Sequence, residues 1–210
     1  MQRSSAVGIY ADRILPRFYD RLIDEPHWIK YRQQLLANAA GEVLEIGAGT
    51  GLNLPHYPAQ VRRITTVDPN PGMNKRLRRR IEEIGIEVDR RAISGEELPF
   101  DDASFDCVVS TMTLCSIPDV QRAMSELFRV LRPGGRYLFL EHGISPDPSV
   151  NKWQRRLNWL QKIVAAGCRL DLDVRATVAS QPFSSIECDN FYREKAPRTH
   201  AYMYRGIAVK

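Results

Sequence analysis

The sequence predicts an α/β protein built on a doubly wound, mostly parallel seven-stranded sheet that ends in an antiparallel strand pair. Three observations predict it. Short apolar runs of strand length alternate with segments of helical spacing from residue 42 to residue 142, as the βα units of a parallel sheet require. A glycine-rich turn, Gly47-Ala48-Gly49-Thr50-Gly51, closes the first of those runs, where such sheets place their ligand crevice. After His142 the rhythm changes, and two strand-like segments joined by a turn finish the chain.

Taken in order, residues 10–38 read as helical through Ile14, Leu15, Phe18, Leu22, Ile23, Leu35 and Leu36, with Pro26 dividing the stretch. Glu42 to Ile46 is the first strand and Ile64 to Val67 the second, stopped by Asp68-Pro69-Asn70-Pro71-Gly72. Residues 72–84 carry Met73, Leu77, Ile81 and Ile84 at helical spacing, and Gly85 ends that helix. Residues 86–93 form the third strand. Phe105 to Ser110 is a fourth, with the unbroken apolar run of a strand buried on both faces. Residues 119–131 are an amphipathic helix stopped by Pro133-Gly134-Gly135, and residues 136–141 are the fifth strand. Residues 150–166 and 171–180 read as helices, and 183–192 and 200–209 as the closing strands around Ala196-Pro197-Arg198.

A chain of 210 residues with 43% hydrophobic and 26% charged residues suits one cored domain over residues 1–210. Residues 1–40 are expected to lie over the ligand pocket, 41–142 to form the core, and 143–210 to build the substrate side. No apolar run approaches membrane-spanning length, and Met1 to Ser5 are followed by no signal-peptide segment, so the expected compartment is the cytoplasm. The four cysteines, Cys107, Cys115, Cys168 and Cys188, show no C-x-x-C spacing, and neither a disulfide nor a metal site is expected. The net charge is +5 and the pI about 9.1, with Lys75, Arg76, Arg78, Arg79 and Arg80 clustered near Arg62-Arg63 and Arg90-Arg91. Nucleic-acid binding is one reading of that cluster. A solvated helix face is the preferred one, because no aromatic interleaving or nucleic-acid motif accompanies it.

The glycine turn constrains its ligand. A phosphate loop ends in Lys-Ser or Lys-Thr, whereas Leu52-Asn53 follows Gly51. A dinucleotide turn wants a small residue where Leu52 stands, and Pro55 and Pro58 leave little room for a long helix opening on a pyrophosphate. Nicotinamide oxidoreductases are disfavoured on this spacing. Asp68 ends the second strand about twenty residues past the turn, where an acidic side chain meets ribose hydroxyls. An adenosine-bearing ligand without pyrophosphate fits both marks.

Three motifs now carry a family resemblance. Glu45-Ile46-Gly47-Ala48-Gly49-Thr50-Gly51 resembles the E-x-G-x-G-x-G motif of class I methyltransferases that use S-adenosylmethionine (SAM). Leu98 to Asp106 resembles their L-P-F-x-D-x-S-F-D motif, and Arg129 to Gly135 their R-V-L-K-P-G-G motif. The grouping is the ubiquinone/menaquinone-biosynthesis-like, or type 11, superfamily. The resemblance implies SAM as cofactor, with Glu45, Gly47, Gly49 and Gly51 at its methionine part and Asp68 at the ribose. It implies Pro69, Met73, Ser94, Gly95 and Glu96 around the adenine, and Thr111 and Leu114 beside the sulfonium. Many relatives have aspartate where Ser94 stands, and Glu96 is the alternative contact for the adenine amino group.

Further segments resemble the methyltransferase-like proteins that methylate alkyl thiols in animals. They are Asp68 to Pro71, Gly95-Glu96, Thr113 to Ser116, Glu141-His142, Trp153 to Asp171 with Gly167-Cys168, and Tyr204 to Lys210. Those proteins begin with a hydrophobic anchor, and a soluble relative without one is expected here. A small-molecule methyl acceptor is implied, with an alkyl thiol first and a phospholipid or quinone-type lipid as alternatives. A SAM-binding module without chemistry is the non-enzymatic reading. Nucleic-acid methylation is disfavoured, because Ser110-Thr111-Met112-Thr113 stands where base N-methylating relatives carry D/N-P-P-Y/F.

His142 is the candidate general base, at the carboxyl edge of the sheet. The alternative is a histidine satisfied by neighbouring backbone. Glu141 either orients it or is solvated. Tyr10 and Tyr19 line the pocket or belong to the core, and Trp153 and Trp159 form either an apolar lid or an ordinary helix–sheet contact. Weak peripheral membrane contact is expected from the basic residues and the amphipathic N-terminal helices.

Overall fold

Seven strands, β1 (Gly41–Ile46), β2 (Val61–Val67), β3 (Glu87–Arg91), β4 (Phe105–Thr111), β5 (Leu131–His142), β6 (Ser185–Tyr192) and β7 (Tyr202–Val209), lie side by side in the order β3-β2-β1-β4-β5-β7-β6. The computed structural model describes residues 26–70, 73–165 and 167–210. Tyr10, Tyr19 and the helical reading of residues 10–25 lie outside them. The β2–β3, β1–β2, β1–β4 and β4–β5 pairs are parallel, whereas β7 runs antiparallel to both β5 and β6. Strand order reverses between β1 and β4, so the crevice beyond their carboxyl ends is the topological switch point.

The sheet is covered on both faces, which is why β1 and β4 are buried along nearly their whole length. On one face α3 (Val120–Val130) and α5 (Val174–Ala179) close over Leu44, Ile46, Val108, Tyr137 and Phe139. On the other, α1 (Pro26–Leu36) and α2 (Asn74–Glu82) close over Val43, Ile64, Val109, Leu138 and Leu140. Successive β5 residues enter opposite cores, as strand geometry demands.

Helix α3 shows the local rules at work. The Asp119 side chain caps it by accepting from Arg122 N, and Val120, Ala123, Met124, Leu127 and Val130 form its buried stripe. The helix gives way to strand sooner than the sequence suggests. Leu131 is already extended and paired with Phe105, and Gly134 N donates to the carbonyl of Lys210. Pro133-Gly134-Gly135 is therefore an irregular start of β5 that the chain end fastens, rather than a free loop before it. The sequence motifs meet here. The Arg129 guanidinium donates to the carbonyls of Leu98 and Phe100 and pairs with Glu126 and Asp102, which ties the Leu98–Asp106 motif to the Arg129–Gly135 motif.

Helix α4 (Pro148–Val164) departs from expectation. Asp147 caps it, and Pro148 opens it where a missing N–H costs nothing. Its buried face carries Val150, Gln154 and Asn158. Gln154 accepts from Ser145 N and donates to the carbonyls of Gly143 and Thr199, and Asn158 accepts from Leu170 N. Trp153 and Trp159 are 54% and 66% exposed, and Leu160, Ile163 and Val164 are exposed beside them. An ordinary helix–sheet contact for the two tryptophans is thus excluded. The helix turns its amides inward because the loops beneath it offer unsatisfied backbone groups.

Candidate active site

The site begins with the backbone of the glycine turn. Gly47 has φ +70°, and a Cβ there would lie 2.2 Å from the Thr113 side chain. Gly49 has φ +55°, and a Cβ there would meet only the Gly47 carbonyl oxygen, at an ordinary contact distance of 3.9 Å. The first glycine admits Thr113 from the turn after β4, and the second leaves backbone accessible to a ligand. Gly51 packs against Leu77 and Leu54, and Gly95 packs against Ile46 at the end of β1.

Asp68 sits at the far rim. Its Oδ2 accepts from Gly49 N and its Oδ1 from Asn70 N, each at 2.8 Å. Burial pushes this carboxyl upward from its ordinary value, and the two backbone hydrogen bonds oppose the shift. Pro69 is exposed and Met73 buried at the start of α2. Ser94 Oγ donates to Glu96 Oε2 and accepts from Glu96 N, and Glu96 Oε1 accepts from Asp119 N. Ser94, Gly95 and Glu96 therefore form a local turn fastened to the cap of α3.

Beneath the turn lies a polar network that sequence reading does not reveal. Arg32 Nε on α1 donates to Asn53 Oδ1 at 3.1 Å. Asn53 Nδ2 donates to Glu45 Oε1 and to Thr111 Oγ1, both at 3.0 Å, and the Tyr57 hydroxyl donates to Glu45 Oε2 at 2.8 Å. Glu45, Asn53, Tyr57 and Arg32 are all buried. Glu45 thus ties the segment Asn53–Tyr57, just past the glycine turn, to the end of β1. The only hint in the chain is Asn53, a polar residue between Leu52 and Leu54.

The segment after β4 closes the other side. Met112 has φ +55°, a left-handed conformation that is costly for a side chain of its size. The following turn is held in two directions. Thr113 Oγ1 donates to the Gly47 carbonyl at 3.3 Å, while Thr113 N and Leu114 N both donate to Glu141 Oε2, at 2.8 and 3.2 Å. Glu141 Oε1 accepts from Ser110 Oγ, which also meets the Tyr137 hydroxyl. Neither reading of Glu141 as orienting His142 or as solvated holds. Neighbouring strand residues point to opposite faces, so Glu141 turns toward the β4 segment and away from the His142 ring. His142 is buried, with Nε2 3.1 Å from Cys168 Sγ. Its partner is a thiol and not the backbone.

Burial pushes the carboxyls of Glu45 and Glu141 from the ordinary 4.5 up to about 7, against the hydrogen bonds they accept. A carboxyl raised in the folded state stabilises the fold fully below its unfolded value, and that contribution is lost as pH rises through about 7. Stability is therefore expected to fall from about pH 5 to about pH 8 through these two groups. Asp106 and Glu126 are shifted downward and titrate below this window. Glu45→Gln is expected to flatten the fall, measured as urea midpoints at both pH values. Equal slopes in wild type and variant would refute the assignment.

The basic cluster is largely paired. Arg80 Nη1 donates to the Thr50 carbonyl and so braces the glycine turn. Arg79 pairs with Glu83, Arg62 with Glu42 and Asp106, Arg63 with Glu87, and Arg91 with Asp89. These contacts fit the solvated-face reading.

A sheet of this order, with a glycine turn after its first strand and a half-buried acid after its second, defines the class I methyltransferase fold. Residues 44–139 match the family described as a methyltransferase domain. The chain is similar to a thiol S-methyltransferase of Homo sapiens, 34% identical over 84% of this chain and 75% of that protein. It is also similar to the phosphatidylethanolamine N-methyltransferase of Cereibacter sphaeroides, 39% identical over 49% of this chain and 51% of that one. Among solved structures, a geranyl diphosphate methyltransferase in complex with SAM superposes with a TM-score of 0.67 at 16% identity, covering 92% of this chain and 90% of that chain. The chain belongs to the family of SAM-dependent methyltransferases that includes the human thiol S-methyltransferase. Its cofactor is SAM, and the open side of Gly49 beside the half-buried carboxylate of Asp68 is a cradle that fits it.

Proposed function

We propose that this protein transfers the methyl group of SAM to the sulfur of a small lipophilic thiol. The observation that carries the methyl-transfer part is the junction of Thr113 with the Gly47 carbonyl, which joins the glycine cradle to the turn after β4. The thiol part is supported by the extent of the similarity. The match to the human thiol S-methyltransferase runs over 189 residues, about twice the length of the 44–139 segment, and so takes in much of the substrate side.

In this reading the backbone of Gly47, Gly49 and Gly51 receives the methionine part, with Glu45 below it contributing charge and rigidity. Asp68 receives the ribose hydroxyls. Pro69, Met73, Ser94, Gly95 and Glu96 border the adenine, and Thr111 and Leu114 border the sulfonium. The protein's task is to align sulfur, methyl carbon and leaving sulfonium and to exclude water. The acceptor loses its thiol proton at the His142 end of the site. A thiol of pKa about 8.5 needs only modest help there. The sulfur lone pair then forms the new carbon–sulfur bond, and the electrons of the breaking bond neutralise the sulfonium.

A second reading, methylation of a lipid headgroup amine, is favoured by one observation. Helix α4 exposes Trp153, Trp159, Leu160, Ile163 and Val164 together, and Lys152, Arg155, Arg156 and Lys162 stand among them. Such a face suits an anionic membrane surface, although no described helix is long and apolar enough to cross a membrane.

Release of S-adenosylhomocysteine, measured with alkyl thiols, phenols, amines and phosphatidylethanolamine vesicles, tests these readings. Turnover confined to thiols supports the first. Turnover confined to vesicles, with the protein co-sedimenting, supports the second. SAM binding by calorimetry without turnover on any acceptor would overturn both and favour a SAM-binding module.

A further inference from the structure

Three side chains from separate segments converge at the carboxyl edge of the sheet. Cys115 comes from the 3-10 turn Leu114–Ser116 after β4, His142 ends β5, and Cys168 lies between α4 and α5. Cys168 Sγ is 3.3 Å from Cys115 Sγ and 3.1 Å from His142 Nε2, and all three ligating atoms lie within 4.8 Å of one another. Cys115 is 1% exposed and His142 4%, while Cys168 is half-buried. Sequence spacing gives no sign of this group, because 53 residues separate the two cysteines.

Two sulfurs and an imidazole are a soft donor set suited to zinc. Tetrahedral zinc, with bonds of about 2.3 Å to sulfur and about 2.0 Å to nitrogen, holds such atoms roughly 3.5–3.8 Å apart. The two separations at Cys168 need open by only a few tenths of an ångström, and Cys115 and His142 already lie within 4.8 Å of each other. Outer partners are also present. Gln161 Nε2 lies 3.7 Å from Cys168 Sγ, and its Oε1 meets His200 Nε2 at 3.2 Å. Such contacts orient metal ligands. A Cys115–Cys168 disulfide is the competing use of these thiols, but it leaves His142 without a part.

We propose that Cys115, His142 and Cys168 form a binding site for a thiophilic divalent cation such as zinc, with a fourth position open to the acceptor. Three protein ligands and one open position are the pattern of catalytic rather than structural zinc. Cys115 follows by two residues the Thr113 that touches the glycine turn, so the site adjoins the methyl-transfer crevice. The role of the fourth position rests on the thiol reading; the metal site itself does not. The acceptor binds there as thiolate and its proton passes to solvent. Its sulfur lone pair then takes the methyl carbon, and the thioether, a weaker ligand, departs with S-adenosylhomocysteine. His142 then serves as ligand and not as base.

The test uses the full chain, purified under reducing conditions and loaded with Zn²⁺ or Co²⁺. The expected result is one metal per chain by elemental analysis, and a Co²⁺ form with thiolate charge-transfer absorption and tetrahedral visible bands. Cys115→Ser and Cys168→Ser are each expected to weaken zinc at least about 100-fold, with an unchanged circular dichroism spectrum. Cys168→Ser is expected to keep SAM binding. Reduced wild-type protein that takes up no zinc and gives no cobalt–thiolate band overturns the site, whether or not a Cys115–Cys168 disulfide forms on oxidation. If metal binds, an alkyl thiol added to the Co²⁺ form is expected to shift the charge-transfer band. Unshifted bands overturn the acceptor role alone. A shifted band without thiol methylation by the zinc form overturns the thiol reading while the metal site stands.

Discussion

Asp68→Ala is expected to weaken SAM binding by at least about 100-fold while the protein stays folded. The carboxylate makes two charge-assisted hydrogen bonds, to Gly49 N and Asn70 N. Each such bond is worth about 1.5–3 kcal/mol, and about 1.4 kcal/mol is a factor of ten in affinity. The Gly49 bond has the larger consequence, since it fixes the left-handed glycine whose open side forms the cradle. In the proposed reading the same carboxylate holds the ribose, so one substitution removes both the contact and the geometry of the cradle. Isothermal calorimetry with SAM measures the loss, and Asp68→Asn, which keeps one acceptor oxygen, is expected to fall between wild type and alanine. An alanine variant with wild-type affinity would show that the cradle is not the cofactor site.

Glu141→Ala is expected to cost about 3–5 kcal/mol of stability, the largest effect of any single substitution at the site. One buried carboxylate satisfies Thr113 N, Leu114 N and Ser110 Oγ. Its removal leaves buried donors without partners at about 1–3 kcal/mol each, and only Ser110 keeps a second partner, in Tyr137. The loss falls on a turn already carrying the left-handed Met112, so the segment proposed to flank the sulfonium loosens as well. Urea denaturation measures the stability. Hydrogen exchange at the Thr113 and Leu114 amides measures the turn, and both are expected to exchange faster even where the rest of the chain stays protected. Glu141→Gln retains one acceptor oxygen and is expected to be milder. A loss below about 1 kcal/mol for alanine would refute the anchoring role.

Most of the sheet was legible because its signals are local. The apolar run from Phe105 to Ser110 reads as a strand buried on both faces, and it is one. The apolar spacing of Val120, Met124 and Leu127 reads as one helix face, and all three are buried. The glycine turn was legible for the same reason, since left-handed backbone leaves its mark in residue type. Helix α4 was legible as a helix but not in its facing. Its apolar residues outnumber its buried amides, and only the backbone groups of Gly143, Ser145, Leu170 and Thr199 explain why the amides turn inward.

By itself the sequence determined the strand and helix order, the place of the glycine turn, the acid after the second strand and hence the SAM-dependent class. Each depends on residues within one element or one turn, where period and backbone preference act over a few positions. Only the tertiary structure decided what lies beneath and beside the turn. Glu45 meets Asn53 and Tyr57 from the segment after the glycine turn, Glu141 reaches across to the segment after β4, and Cys115, His142 and Cys168 gather at one point. Those contacts join residues far apart in the chain, and no local preference encodes them. They follow from parallel strands bringing their carboxyl ends to one edge, where burial removes water and each polar group must find its partner in the protein.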